Sequence, residues 1–88
     1  MPFVTVKLLK GVYTPELKAK LIAGVSNAVA EVVAEGLGTD NEKVLAHLWC
    51  VIEEVELENW GSGGRQVNSE MLKAAFGSQI NYPSSFFS

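Results

Sequence analysis

Apolar and polar residues along this chain follow two different periods, and the changes between them mark its elements. Residues 3 to 9, FVTVKLL, set apolar side chains against Thr5 and Lys7. That period of two predicts a strand, ended by Gly11. Thr14, Pro15 and Glu16 follow as a hydroxyl cap, a proline at the first helical position and an acid near the positive end of a helix dipole. Leu17, Leu21, Val25, Val29 and Val32 then recur every three or four residues, and Ile22 and Ala28 widen the stripe. An amphipathic helix is expected, with one face built to lie on a sheet. Gly36 and Gly38 offer the positive backbone angles that end a helix, and Thr39 with Glu42 has the spacing of a capping box for a further short turn.

The run from Val44 to Val55, VLAHLWCVIEEV, is rich in β-branched and aromatic residues and predicts a second strand whose start is open by several residues. Two strands joined by a helix of about twenty residues must run parallel through a right-handed crossover. The expected fold class is therefore α/β: a single β-α-β unit, a parallel strand pair with one long helix. Residues 59 to 65, NWGSGGR, form a glycine-dense turn around one large aromatic, and Asn68 or Ser69 is placed to cap a short helix over 70–76. The division expected is a domain over 1–76 and a tail over 77–88. That tail has no periodicity yet carries Ile80, Tyr82, Phe86 and Phe87, which points to packing on a neighbouring subunit.

Composition adds a reason to expect self-association. Eighty-eight residues make one domain, and 48% of them are hydrophobic. A lone domain of this size buries only roughly 60–65% of its unfolded surface. A two-stranded parallel sheet under one helix also leaves an edge and a face uncovered, whereas parallel sheets are normally covered. Pairing between subunits answers both problems. The net charge of -3 includes a single arginine, Arg65, and no basic stripe able to follow a phosphate backbone, so nucleic acid is not an expected partner. No run approaches the roughly 20 apolar residues of a membrane span, and the first ten residues lack a signal peptide's continuous apolar stretch. A cytoplasmic protein is expected. Cys50, the only cysteine, sits in an apolar run and reads as a small buried hydrophobe.

Among titratable groups, Pro2 is the candidate for chemistry. Aminopeptidases remove methionine ahead of proline, which would expose a secondary amine held rigidly at the start of a strand. Apolar walls or a nearby cation would disfavour the charged amine and bring it towards the range of a general base. His47 falls in the apolar run and reads as a structural or interface histidine. Glu53 and Glu54 are neighbours on a strand, point to opposite faces and cannot form an acid/base pair. The backbone N–H groups of Gly61, Gly63 and Gly64 read first as parts of a tight bend.

The terminal proline, the strand ending in glycine (PFVTVKLLKG), the helix from Thr14, the strand ending IEEV and the turn NWGSGG together resemble the 4-oxalocrotonate tautomerase family. The similarity runs in order through about residues 2 to 72. It implies a β-α-β subunit that dimerises into a four-stranded sheet, assembles into larger homo-oligomers, and uses its terminal proline as base to move a proton between the enol and keto forms of small 2-oxo acids. No metal and no organic cofactor is implied. The resemblance makes Pro2 the catalytic base and Trp60 a wall of the pocket. It also exposes a departure. Relatives acting on dicarboxylated dienols carry arginine after the strand-ending glycine and again in strand two, whereas this chain has Val12 after Gly11 and an apolar or aromatic residue near Leu48 or Trp49. Arg65 remains as the guanidinium for a substrate carboxylate, and one carboxylate is expected on the substrate. Two other readings stand beside this one: a hydratase or dehalogenase-type relative acting on small unsaturated acids, and a catalytically silent structural subunit of an oligomer.

Overall fold

The computed structural model of the protein describes residues 2–77. The expectations for Met1 and for the tail from Ser78 onward lie outside the described residues. Strand β1 covers Phe3–Leu9, as the alternation predicts, and helix α1 covers Pro15–Leu37. The α1 start is built as its residues suggest: Thr14 is extended, its hydroxyl accepts from the Leu17 N–H at 3.2 Å, and Pro15 occupies the first turn. A short helix α2, Asn41–Leu45, leads to strand β2 at Trp49–Val55. β1 and β2 form a parallel pair. At one end of it the Trp49 N–H donates to the Pro2 carbonyl at 3.2 Å, and at the other the Lys10 N–H donates to the Val55 carbonyl at 2.9 Å. The fold class is therefore the expected one.

The second strand starts later than the apolar run suggests. Val44 and Leu45 are helical, and His47 lies in the exposed connection after α2, where it is no part of a strand. The reason is packing. Val44 turns into a small core with Ala30 and Ala34 of α1, at 6%, 0% and 1% exposure, flanked by Val33 and Leu48. The helical stripe also shifts from the expected one. Ser26, Ala30 and Ala34 are the buried α1 residues, whereas Leu17 and Val32 remain 48% and 68% exposed. Small residues there let α2 come close to α1.

The expected capping box does not form. Gly38 adopts the left-handed conformation (φ 69°) and, in the geometry of a helix stop, the next N–H, that of Thr39, reaches back to the Ala34 carbonyl at 3.0 Å. Thr39 thereby closes α1, and Asp40 becomes the residue that precedes α2. Gly36 stays inside α1.

Both long strands half-bury their even-numbered residues through the middle of the strand and expose the odd ones, Phe3, Thr5 and Lys7 on β1 and Trp49, Val51 and Glu53 on β2. A 2.9 Å ion pair between Lys7 and Glu53 shows that the two exposed sets share one face. Glu54 is turned away and half-buried, as expected for strand neighbours. Cys50 is half-buried, less enclosed than its apolar context suggests. After β2, a 3₁₀ turn at Leu57–Asn59 leads into a small antiparallel hairpin of β3 (Gly61–Ser62) and β4 (Arg65–Gln66), then helix α3 at Ser69–Phe76. Asn68 is the cap, its side-chain oxygen accepting from the Met71 N–H at 3.0 Å.

By its contacts the described chain divides into two units. The first holds residues 2–7 and 13–53, the second residues 8–12 and 54–77.

Candidate active site

Pro2 belongs to the first unit. It is half-buried immediately before β1, and its carbonyl is fixed by the first residue of β2. Around it opens a concavity of about 460 Å³ lined by Val33 and Leu37 of α1, Thr39 of the junction, and Lys43 and Val44 of α2. That volume lies within the range that takes a small organic ligand. Four of the six lining residues are apolar, so a group in this hollow loses water with little polar compensation. The α1–α2 packing builds these walls: Val44 is pinned in the core, which fixes its neighbour Lys43 at the hollow's edge.

Trp60 and Arg65 belong to the second unit. Trp60 is held from three directions: its N–H donates to Leu57 at 3.1 Å, its indole Nε1 donates to the Val55 carbonyl at 3.1 Å, and its own carbonyl accepts from the Val67 N–H at 2.8 Å. A large half-buried aromatic is thus fixed in place by hydrogen bonds at its backbone and its ring. Arg65 is exposed on β4, opposite Ser62. Gly63 and Gly64 have φ of 62° and 81°, the pair of positive angles that a two-residue hairpin turn needs, so the tight-bend reading of these glycines holds.

The second unit has its own concavity, lined by Lys10, Gly11, Glu56, Leu57, Glu58, Gln66, Val67 and Asn68. Lys10 meets Glu56 at 2.9 Å, and the Gln66 side-chain amide donates to the Glu58 carbonyl at 2.7 Å. The hydrogen bond that Lys10 donates to Glu56, and then the charge of Glu56, raise the Lys10 pKa. From the sequence, Gly11, Asn68 and Thr39 are marked only as a strand end and caps, and Lys43 is not marked at all, because pairing across elements leaves no local signal.

Among the described residues no group of three or more His, Cys, Asp or Glu side chains could hold a metal ion, and no helix is long and apolar enough to cross a membrane.

A parallel strand pair crossed over by one long helix, with a proline at the strand's start, defines a small β-α-β subunit of the tautomerase kind. The model of the tautomerase enzyme family matches residues 2–69, and the chain belongs to that family. It is 33% identical over 75 residues to a probable tautomerase of Dickeya dadantii (strain 3937), an alignment covering 85% of this chain and all of that protein. The crystal structure of DmpI from Helicobacter pylori superposes with a TM-score of 0.54 at 34% identity, over 75% of this chain and 95% of that one. The crystal structure of YwhB, a homologue of 4-oxalocrotonate tautomerase, gives a TM-score of 0.51 at 34% identity, over 74% of this chain and 92% of that one. Tautomerase chemistry is the activity these likenesses support.

Proposed function

We propose that this protein is a cytoplasmic, cofactor-independent tautomerase in which Pro2, freed by removal of Met1, moves a proton between the enol and keto forms of a small 2-oxo acid. The observation that carries this reading is the setting of Pro2, half-buried at the mouth of an apolar hollow of about 460 Å³. In the ketonising direction the proline nitrogen takes the enol O–H proton. The O–H electron pair then makes the C2=O bond, and the C2=C3 pair takes the same proton from nitrogen at C3. No atom is gained or lost. Trp60 serves as a pocket wall, and Arg65, with its planar fork of donors, serves as partner of the single carboxylate.

Self-association is part of the proposal. Phe3 and Trp49 are 66% and 69% exposed on the odd-numbered sheet face, and each large side chain left in water forgoes about 1.5–3 kcal/mol of burial. Dimerisation into a four-stranded sheet, with the 77–88 tail on a neighbouring subunit, supplies the missing cover. Sedimentation at micromolar concentration should give a mass above that of one chain, and a single-chain mass would contradict it.

The test of the chemistry is Pro2→Ala assayed on phenylenolpyruvate. Replacing the rigid secondary amine should cost about 10²–10⁴-fold in kcat/KM, the usual worth of a positioned general base, with the circular dichroism spectrum unchanged. Undiminished activity would remove Pro2 from the mechanism.

A further inference from the structure

The hollow around Pro2 has two polar side chains in its lining, those of Thr39 and Lys43. Both are set in place by the α1–α2 junction. The Thr39 N–H is tied to the Ala34 carbonyl at 3.0 Å and the Lys43 N–H to the Asp40 carbonyl at 3.2 Å, while Val44 next door is 6% exposed in the core. The backbone at 39 and 43 is thus as firmly fixed as the apolar walls. Thr39 is half-buried and Lys43 exposed, so the lysine's aliphatic stem can cover the rim while its ammonium stays in water. Lys7 and Lys10 are each locked to a glutamate at 2.9 Å. Lys43 has no ion pair among the described residues.

The reaction states where a cation is needed. Moving a proton between C3 and the oxygen on C2 passes through an enolate, whose charge rests on that oxygen, two bonds from the carbon that Pro2 serves. Whatever neutralises the oxygen must therefore share the hollow with Pro2. The substrate's carboxylate is under no such constraint. An oxyanion forming among Val33, Leu37 and Val44 without a donor would be costly. An ammonium, a compact charge with three rotatable donors, suits a single oxygen, whereas a guanidinium fork suits the two oxygens of a carboxylate.

We propose that Lys43, with the Thr39 hydroxyl beside it, is the oxyanion partner of the tautomerase reaction: these two side chains meet the enolate oxygen on C2 while Pro2 carries the proton. This rests on the reading of Pro2 as base. As the enol O–H proton leaves for the proline nitrogen, negative charge grows on oxygen and the ammonium meets it. As C3 is protonated the charge returns to the forming carbonyl bond and the ammonium is left unchanged. Because the contact strengthens with the charge, Lys43 stabilises the transition state more than the bound enol, which places its effect on kcat.

The experiment measures kcat and KM separately on phenylenolpyruvate for the full chain and for Lys43→Gln, Lys43→Met, Lys43→Arg, Thr39→Val and Pro2→Ala. Loss of one buried oxyanion donor costs about 10²–10³-fold in kcat, and an exposed ammonium should be worth less, about 10–100-fold. Lys43→Gln and Lys43→Met should therefore lose about 10–100-fold in kcat with KM within about twofold, because an interaction made in the transition state leaves ground-state binding alone. Lys43→Arg should recover most of the loss, and Thr39→Val should lose less than either neutral variant. An unchanged kcat in Lys43→Gln and Lys43→Met, or a loss carried wholly by KM, would overturn the proposal. Position 43 is exposed, so neither neutral variant removes core volume, and circular dichroism verifies the fold. Pro2→Ala separates the two readings. If it is inactive while both neutral Lys43 variants are unimpaired, the base stands and the oxyanion partner fails. If it is fully active, the base itself fails.

Discussion

Strand β1 has a concavity at each end of its sequence, and the two differ in how their charges are used. At its start, Pro2 faces a largely apolar hollow whose one cation, Lys43, has no ion pair among the described residues. At its end, Lys10 and Gly11 line a polar concavity in which Lys10 is committed to Glu56, and Gln66 to the Glu58 carbonyl. The second is the larger, about 670 Å³ against 460 Å³, and has the richer polar lining. Size and polarity nevertheless favour the end away from the proposed base. Charges that satisfy one another hold a chain in register, whereas a cation beside apolar walls, with no ion pair among the described residues, suits the incoming anion of the proposed reaction. The carboxylates of Glu56 and Glu58 would moreover repel an anionic substrate.

The largest effect is expected at the start of β1. Protein in which Met1 is retained, for instance by a short N-terminal extension, should show no tautomerase activity, because an amide nitrogen cannot take the proton. Mass spectrometry of active and inactive preparations checks this, and full activity in the extended chain would end the contrast between the two ends. Arg65→Ala comes next. Removing one hydrogen-bonded charge partner costs about 1.5–3 kcal/mol, roughly one to two decades in kcat/KM, and the loss should appear mainly in KM. Matched mono- and dicarboxylated enols supply the control, with the one-carboxylate substrate preferred by the unaltered protein.

A smaller effect is expected from the packing that shapes the Pro2 hollow. Ala34→Leu forces side-chain volume against Val44 and should destabilise the fold by about 1–3 kcal/mol, seen as a lower denaturant midpoint. A neutral result would mean that α2 is not held where the structure places it. The smallest effect belongs to the other end of β1. Lys10→Gln should leave kcat/KM unchanged within about twofold and lower stability only slightly, less so in high salt. The sign with pH follows from the raised Lys10 pKa. The folded state holds this proton more tightly than the unfolded one, so the ion pair's contribution is present at neutral pH and fades as pH climbs past lysine's ordinary value of about 10.4. A thermal scan of both proteins at pH 7 and at pH 11 should therefore show the gap between them narrowing at the higher pH.

Local signals were legible where the chain makes local structure. The alternation of FVTVKLL, the Thr14-Pro15 start of α1, the Gly38 stop and the Asn68 cap each operate within a few residues, and each appears as expected. The misreadings share another origin. Val44 looks like a strand residue until Ala30 and Ala34 take it into a helix pair. Thr39 looks like a cap for α2 until its N–H is used to close α1. Pro2 was visible as a candidate, and the family likeness gives that candidacy a context, but Lys43 was not. Forty-one residues separate it from Pro2, and only the packing of α2 against α1 brings it to the hollow.

The core made by Ala30, Ala34 and Val44 contains no large side chain. With so light a core among the described residues, the proposed self-association should couple association and folding of the subunit into one equilibrium. Its melting temperature then ceases to be a constant of the molecule and becomes a function of how much of it is present, rising with each tenfold increase in concentration. Catalysis would inherit the same dependence: specific activity should fall on prolonged dilution and return on reconcentration, making the abundance of the chain a control on its own competence.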